Sequence, residues 1–168
     1  DCEFCDITKL FGRVPRTKTN TQFLAEFDRL YELGWRDAVF VVDDNFIGNK
    51  RDAMRLLPAI AAWQQERNYP FDLSTETSVN LIEIPGMIEA MVEAGFTMTF
   101  LGIESPNDAA LETTVKKQNT TRGESARDYL LRAVHTIQAH GIEVTAGFII
   151  GLDQDREFQP HIDFIQEA

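Results

Sequence analysis

The first residues that could do chemistry are Cys2 and Cys5, and the sequence contains no other cysteines. The Cys-x-x-Cys spacing allows two thiolates to bind one metal ion or one iron–sulfur cluster, or to form a redox pair. Two thiolates make only half of a four-ligand site. Because the pair begins at the second residue, we expect the motif to continue upstream of Asp1.

A second group of polar residues lies where apolar segments end. These segments are the predicted strands, and ligands of α/β proteins bind at the carboxyl ends of strands. The group comprises Asp43, Asp44, Glu76, Glu104, Ser105 and Asp153. Each residue alone is more often a helix cap or a turn residue. Together they predict an acidic rim, either solvated or in contact with a cation, a sulfonium or ammonium group, or sugar hydroxyls.

Glycines mark the same rim. Gly102 precedes Glu104, and Gly147, Ile149 and Gly151 form a Gly-x-Ile-x-Gly pattern. A glycine inside a strand indicates either the close approach of a ligand or a structural bulge. The pattern leaves both interpretations open.

The elements that must position these residues alternate between strands and amphipathic helices. The predicted strands cover 38–42, 71–75, 96–103 and 142–150. The predicted helices start at the cap candidate Asn20 and then cover 51–67, 85–94, 108–113, a segment ending at 140, and a segment around 158–165. Pro58 predicts a kink or an early break in the second helix. The unbroken apolar run at 38–42 predicts a strand buried on both faces.

Four strand–helix units indicate an α/β fold, either an open doubly wound sheet or an arc of a (β/α) barrel. No strand is followed by the Gly-x-Gly-x-x-Gly turn of a dinucleotide-binding sheet. The sequence therefore favours an incomplete (β/α) TIM-type barrel. With no linker or repeat, residues 1–168 are predicted to form one partial domain.

Composition and charge argue against several classes of function. The formal net charge is −11, which opposes non-specific binding to nucleic acid. No apolar run approaches the length of a membrane span, so a cytoplasmic location is the default expectation. A local basic cluster of Lys9, Arg13, Arg16 and Lys18 is either a solvated loop or an anion contact.

The order of these motifs resembles that of radical S-adenosylmethionine (SAM) enzymes. The matching residues are Phe4 with Cys5, the acidic segment 43–46, the Gly-Ile-Glu-Ser segment 102–105, and Gly147-x-Ile149-x-Gly151. Segments 42–48 and 77–81 are similar to the cobalamin-binding branch, which includes hopanoid methylases and anaerobic magnesium-protoporphyrin cyclases.

The resemblance implies a [4Fe-4S] cluster held by Cys-x-x-x-Cys-x-x-Cys, with Cys2 and Cys5 as the second and third ligands. One electron from the cluster would cleave SAM to a 5′-deoxyadenosyl radical, for methyl transfer or ring rearrangement on a small molecule. A flavodoxin- or ferredoxin-like protein would donate that electron. The first cysteine, the first strand, the last barrel unit or units, an N-terminal cobalamin domain and a C-terminal domain would lie outside these residues, so the chain alone is expected to be inactive.

The resemblance also implies roles for individual residues. Phe4 would lie near the adenine, and Asp43 and Asp44 near the SAM amino group or the substrate. Glu76 is included among the cofactor-binding residues. Glu104 and Ser105 would contact the polar end of SAM or its ribose, and Gly147, Ile149 and Gly151 would line the adenine. The family often has glutamate where this chain has Gln154.

Two other functions remain open from the residues themselves. Asp44, Glu76, Glu104 and Asp153 could bind Mg²⁺ in a lyase or hydrolase barrel. Alternatively, Cys2 and Cys5 could form a zinc half-site or a redox pair in a non-catalytic module. A thioredoxin-like pair needs a helix starting beside it, and Asp6-Ile7-Thr8 does not clearly predict one.

Overall fold

The computed structural model describes residues 5–14 and 16–168, so the predictions for Cys2 and Phe4 lie outside the described residues. Its four strands form one parallel sheet in the order β1-β2-β3-β4. They are β1 (Val39–Val41), β2 (Leu73–Thr77), β3 (Phe96–Glu104) and β4 (Glu143–Phe148). Each strand pairs with the next strand in the chain, which is how a (β/α) barrel is wound. A doubly wound sheet instead reverses its order part-way, so the barrel prediction is confirmed.

Seven α-helices surround or precede the strands in the described residues. They are α1 (Ile7–Phe11), α2 (Asn20–Glu32), α3 (Lys50–Glu66), α4 (Met87–Glu93), α5 (Asp108–Thr114), α6 (Ala126–Ala139) and α7 (Gln159–Glu167). Short 3₁₀ helices occupy Val79–Glu83 and Lys117–Asn119. The strand–helix alternation predicted from the sequence is therefore present.

Three local predictions need correction. The N-cap of α2 is Thr19, not Asn20, because Thr19 and Gln22 form a reciprocal capping box. Helix α3 continues through Pro58 without the early break that this residue allowed. Helix α4 begins at Met87 rather than Pro85, after Gly86 in the left-handed conformation.

Helices cover one face of the sheet, and the hydrophobic core lies between them. Val41, Leu73, Leu101 and Ile103 belong to that core. The opposite face is open, so Phe40 is 46% exposed and Val42, just beyond β1, is 86% exposed. The prediction that this strand is buried on both faces is therefore wrong for this chain. The open face carries the polar rim at its carboxyl end.

Candidate functional site

The loops after β1 and β2 are joined by Asn45. The Asn45 side-chain oxygen accepts hydrogen bonds from the Ser78 backbone N–H (3.2 Å) and hydroxyl (3.3 Å). Asp43 accepts a bond from the Asn45 backbone N–H at 2.9 Å, which holds the acidic turn. Asp43 and Asp44 are both exposed at this edge. They are placed at the rim, where the sequence predicted them.

Glu76 lies inside β2 rather than after it, because the strand extends to Thr77. The burial pattern of β2 alternates, with Leu73, Thr75 and Thr77 on the core side. Glu76 therefore lies on the open face of the sheet, one residue before the rim. Its backbone carbonyl accepts a bond from the Phe46 N–H at 2.9 Å, which draws the loop after β1 toward β2.

Glu104, the last residue of β3, is held in a tight turn. Its φ is +64°, in the left-handed region that residues other than glycine rarely adopt. The Ser105 N–H donates to the Ile103 carbonyl at 2.8 Å, and the Ile149 N–H donates to the Glu104 carbonyl at 2.8 Å. The pairing with β4 shifts by one residue between Gly102 and Glu104, which is a β-bulge. A bulge at a strand end changes the direction of a side chain, here that of Glu104.

The Glu104 carboxylate forms an ion pair with Lys116, whose side chain reaches back from the segment after α5. The two side chains are only 12% and 13% exposed, respectively. The Lys116 Nζ also donates to the Gly102 carbonyl at 2.8 Å. An added Cβ on Gly102 would lie 2.5 Å from the Glu104 Oε1 and would also contact the Lys116 Nζ. A larger residue at this position would force the ends of both side chains to shift, so Gly102 allows the pair to lie across the strand as it does.

Gly147 lies beside Gly102 in the paired strands β3 and β4. The Phe100 ring covers it, since a Cβ at Gly147 would be 2.7 Å from the ring's Cζ. Packing against Phe100 is therefore one reason for a glycine at position 147, in addition to its predicted role in cofactor binding. Ile149 and Gly151 follow the end of β4, and Gly151 has a φ of +90°.

Ser105 and Gln154 are engaged within the protein. Ser105 is fully buried, and its hydroxyl accepts a bond from the Asn107 N–H at 3.1 Å. The Gln154 side-chain oxygen accepts a bond from the Thr113 hydroxyl at 3.1 Å. Both residues therefore tie the loops at the rim to the start or the body of α5.

The predicted Mg²⁺ ligands do not converge. Within residues 5–14 and 16–168, no three His, Cys, Asp or Glu side chains are grouped closely enough to hold a metal ion. Asp153 is exposed, and Glu104 is already paired with a cation. The arrangement therefore gives no support to the Mg²⁺ barrel.

Cys5 is a free, partly buried thiol just before α1. The helix begins at Ile7, although Asp6-Ile7-Thr8 does not clearly predict it. Farther along, Lys18 of the basic cluster pairs with Glu26 at 2.6 Å. A cavity of about 700 Å³ beside β1 is lined by Arg13, Arg16 and Lys18, together with Asp43, Asp44 and apolar residues of α1 and α2.

Sequence reasoning missed Lys116 and Asn119, which both contact the end of β3. The Asn119 side-chain N–H groups donate to the carbonyls of Gly102 (3.0 Å) and Ile103 (2.7 Å). In the sequence, these two residues belong to a polar stretch between two predicted helices. Nothing in that stretch indicates that it folds back onto a strand.

Comparison with known proteins identifies the family. The family model described as the radical SAM superfamily matches residues 1–165. The chain belongs to the radical SAM superfamily. The prediction of a radical SAM enzyme is therefore confirmed.

Two curated relatives are similar over almost the whole chain. An uncharacterized methyltransferase of Synechocystis sp. is 50% identical over 156 residues, 93% of this chain. The hopanoid C-2 methylase of Rhodopseudomonas palustris is 44% identical over 154 residues, 92% of this chain. The chain spans only 28% of the length of each of these relatives.

Solved structures of the superfamily share the fold. The cobalamin-dependent SAM radical enzyme OxsB, with aqua-cobalamin and SAM bound, matches 90% of this chain and 22% of its own, with a TM-score of 0.66 and 18% identity. The radical SAM methyltransferase TsrM from Kitasatospora setae, with cobalamin and a [4Fe-4S] cluster bound, matches 81% of this chain and 26% of its own, with a TM-score of 0.61 and 16% identity. The predicted similarity to the cobalamin-binding branch is thus confirmed. Among the described helices, none has the length and apolar character required to cross a membrane.

Proposed function

We propose that this radical SAM domain binds SAM along the carboxyl ends of β1 to β4 and serves a cobalamin-dependent methyl transfer to a small molecule. The observation that carries the proposal is the Glu104–Lys116 ion pair, held by a bulge beside the paired glycines Gly102 and Gly147. Support for methyl transfer comes from the relatives named as methyltransferases and methylases.

The ion pair suits the charges of SAM. Separating two poorly exposed charges costs several kcal/mol unless each finds a new partner. An α-amino acid group brings a carboxylate for Lys116 and an ammonium for Glu104, so the pair can open without leaving either charge uncompensated. Glu104 could also accept hydrogen bonds from the ribose hydroxyls. A purely anionic ligand that paired with Lys116 would leave Glu104 without a partner, and a neutral ligand would give neither charge a replacement.

The neighbouring rim residues fit the rest of the molecule. Asp43 and Asp44 provide negative charge near the open face, which favours a sulfonium. The backbone from Gly147 to Gly151 offers peptide groups and the apolar Ile149 to an adenine. These roles remain proposals, as does the role of Glu76 on the open face.

The chain also offers thiols for a [4Fe-4S] cluster. Cys5 is free and partly buried, and Cys2 would supply a second thiolate. When bound, the cluster supplies the electron that cleaves the SAM sulfonium. The residues described above would bind SAM, orient it and limit its contact with water. For the whole protein we propose bound cobalamin, a low-potential flavodoxin- or ferredoxin-like electron donor and a cytoplasmic location.

Anaerobic reconstitution of the full-length protein tests the proposal. Iron, sulfide, SAM affinity, 5′-deoxyadenosine and methylated product would be measured in the wild-type protein and in Glu104→Gln. We expect a cluster and SAM cleavage in the wild type, and weaker SAM binding in Glu104→Gln. A wild-type protein with neither cluster nor SAM cleavage would overturn the function.

The same preparations discriminate the other functions. Retention of Mg²⁺ after Cys2→Ala and Cys5→Ala, with no iron in the wild type, would indicate a divalent-metal enzyme. Stoichiometric zinc without iron in air-purified protein would indicate a zinc or redox module.

A further inference from the structure

We propose that Asn119 is a positioning residue that holds the strained end of β3 and thereby directs Glu104 toward the bound ligand. This inference rests on the proposed function, since it assigns Glu104 to SAM binding. Asn119 does not have to touch the ligand. It acts through the backbone that precedes Glu104.

The end of β3 requires a restraint. Glu104 adopts a φ of +64°, and such a conformation is unfavourable for a residue with a side chain. The turn closes within three residues, from the Ser105 N–H to the Ile103 carbonyl. If Glu104 relaxed to an extended conformation, its carboxylate would move away from Gly102 and Lys116.

Asn119 supplies that restraint through one amide group. Its Nδ2 donates to two consecutive carbonyls, those of Gly102 at 3.0 Å and Ile103 at 2.7 Å. The Gly102 carbonyl also accepts a bond from the Lys116 Nζ, and the Ile103 carbonyl one from the Ser105 N–H, so the Asn119 amide adds a second donor to each carbonyl and links them at the bulge. Asn119 is fully buried, which keeps water from competing for them.

The oxygen of the Asn119 amide indicates that a contribution to stability does not by itself account for an asparagine at this position. The Asn119 Oδ1 is buried and has no hydrogen-bond partner within the described residues. A buried acceptor without a partner is unfavourable. Flipping the amide would not help, because the oxygen would then face two carbonyl oxygens. The structure therefore tolerates an unpaired atom in order to hold the two carbonyls.

Asn119 and Lys116 act on the same residue from one short segment. Lys116 pairs with the Glu104 carboxylate, and Asn119, at the end of the adjoining 3₁₀ helix, fixes the backbone before Glu104. The Asn119 N–H donates to the Lys116 carbonyl at 3.1 Å, which links the two positions. Segment 116–119 thus determines both the charge environment and the direction of Glu104.

The test compares Asn119→Ala with Ser125→Ala in the full-length, cluster-loaded protein. Ser125 caps α6 by accepting a bond from the Asp128 N–H. Ser125→Ala should therefore destabilise the domain without changing a contact at the end of β3. The readouts are SAM affinity by calorimetry, iron content, thermal midpoint, and the change in the reduced-cluster EPR signal on adding SAM. We expect Asn119→Ala to weaken SAM binding about tenfold, the effect of one lost hydrogen bond to a well-placed group. Ser125→Ala should leave SAM affinity unchanged.

Two further variants test the role of Asn119 independently. Asn119→Asp has nearly the same volume but replaces the donor with an acceptor, and it decides the outcome if Asn119→Ala does not fold. In Glu104→Gln, adding Asn119→Ala should cause little further loss of affinity, because both changes act on one contact. Unchanged SAM affinity in Asn119→Asp, or full additivity with Glu104→Gln, would overturn the role of Asn119. If Glu104→Gln alone leaves SAM affinity unchanged, Glu104 does not bind SAM, and Asn119 has no positioning role toward it.

Discussion

The Glu104–Lys116 ion pair makes a quantitative prediction about stability. Lys116→Met keeps the length of the side chain and removes its charge, which leaves the Glu104 carboxylate without its cation. Breaking a buried ion pair from one side costs about 3–5 kcal/mol. Since both side chains keep some exposure, at 13% and 12%, we expect a loss near the lower end of that range, about 3 kcal/mol.

Lys18→Met is a matched control in the same chain. The Lys18–Glu26 pair has a similar geometry, at 2.6 Å, but its side chains are 55% and 60% exposed. Exposed pairs contribute little because water solvates each charge, so this variant should lose about 0.5 kcal/mol. The contrast between the two lysines isolates the effect of burial.

Urea unfolding of the purified protein measures these losses, and a double-mutant cycle with Glu104→Gln measures the pair itself. The double variant removes both charges, so it should lose about 2 kcal/mol less than the sum of the single variants. Additive losses, or equal losses in Lys116→Met and Lys18→Met, would refute the argument that a poorly exposed ion pair organises this site.

Three other predictions concern separate parts of the chain. Gly147→Ala should cost about 1–3 kcal/mol in urea unfolding, because its Cβ would overlap the Phe100 ring, and Phe100→Leu should recover part of that loss. Thr17→Ala should raise the pKa of Asp52, measured by NMR titration, because the Thr17 hydroxyl bond is the main cause of its lowered pKa. The lowered pKa of Asp52 contributes stability at neutral pH, and this contribution is lost as the pH falls through that pKa, below 3.8. In Thr17→Ala this contribution should be smaller. An unchanged Asp52 pKa in this variant would contradict the assignment. Cys5→Ala should lower the iron and sulfide bound by the full-length protein, and unchanged iron content would exclude Cys5 as a ligand.

The sheet and the polar rim were predictable because their signals are local. A short apolar run of β-branched and aromatic residues followed by a polar residue favours a strand end, and this local pattern predicts the positions of Asp43, Asp44 and Glu104. The exposure of one face of β1 was not predictable, because it depends on whether another part of the protein covers that face. Phe40 is apolar and still 46% exposed.

The contacts at the rim depend on residues far apart in the sequence. Lys116 and Asn119 lie in a polar stretch after α5, and no periodicity shows that this stretch folds back onto β3. Ser105 and Gly147 had ambiguous local signals, since each residue type serves both ligands and packing. In the structure each has a partner inside the protein, the Asn107 N–H and the Phe100 ring.

Backbone strain marks both ends of the Glu104–Lys116 contact. Glu104 has a φ of +64°, and Val115, just before Lys116, has a φ of +55°. A β-branched residue rarely adopts this conformation, so Val115 is the more unusual of the two. Here it ends α5 and reverses the chain, which allows Lys116 to reach across Gly102. Since strained residues persist only where surrounding contacts hold them, the strain at Glu104 and at Val115, next to Lys116, argues that the contacts around the ion pair hold both of its ends in place.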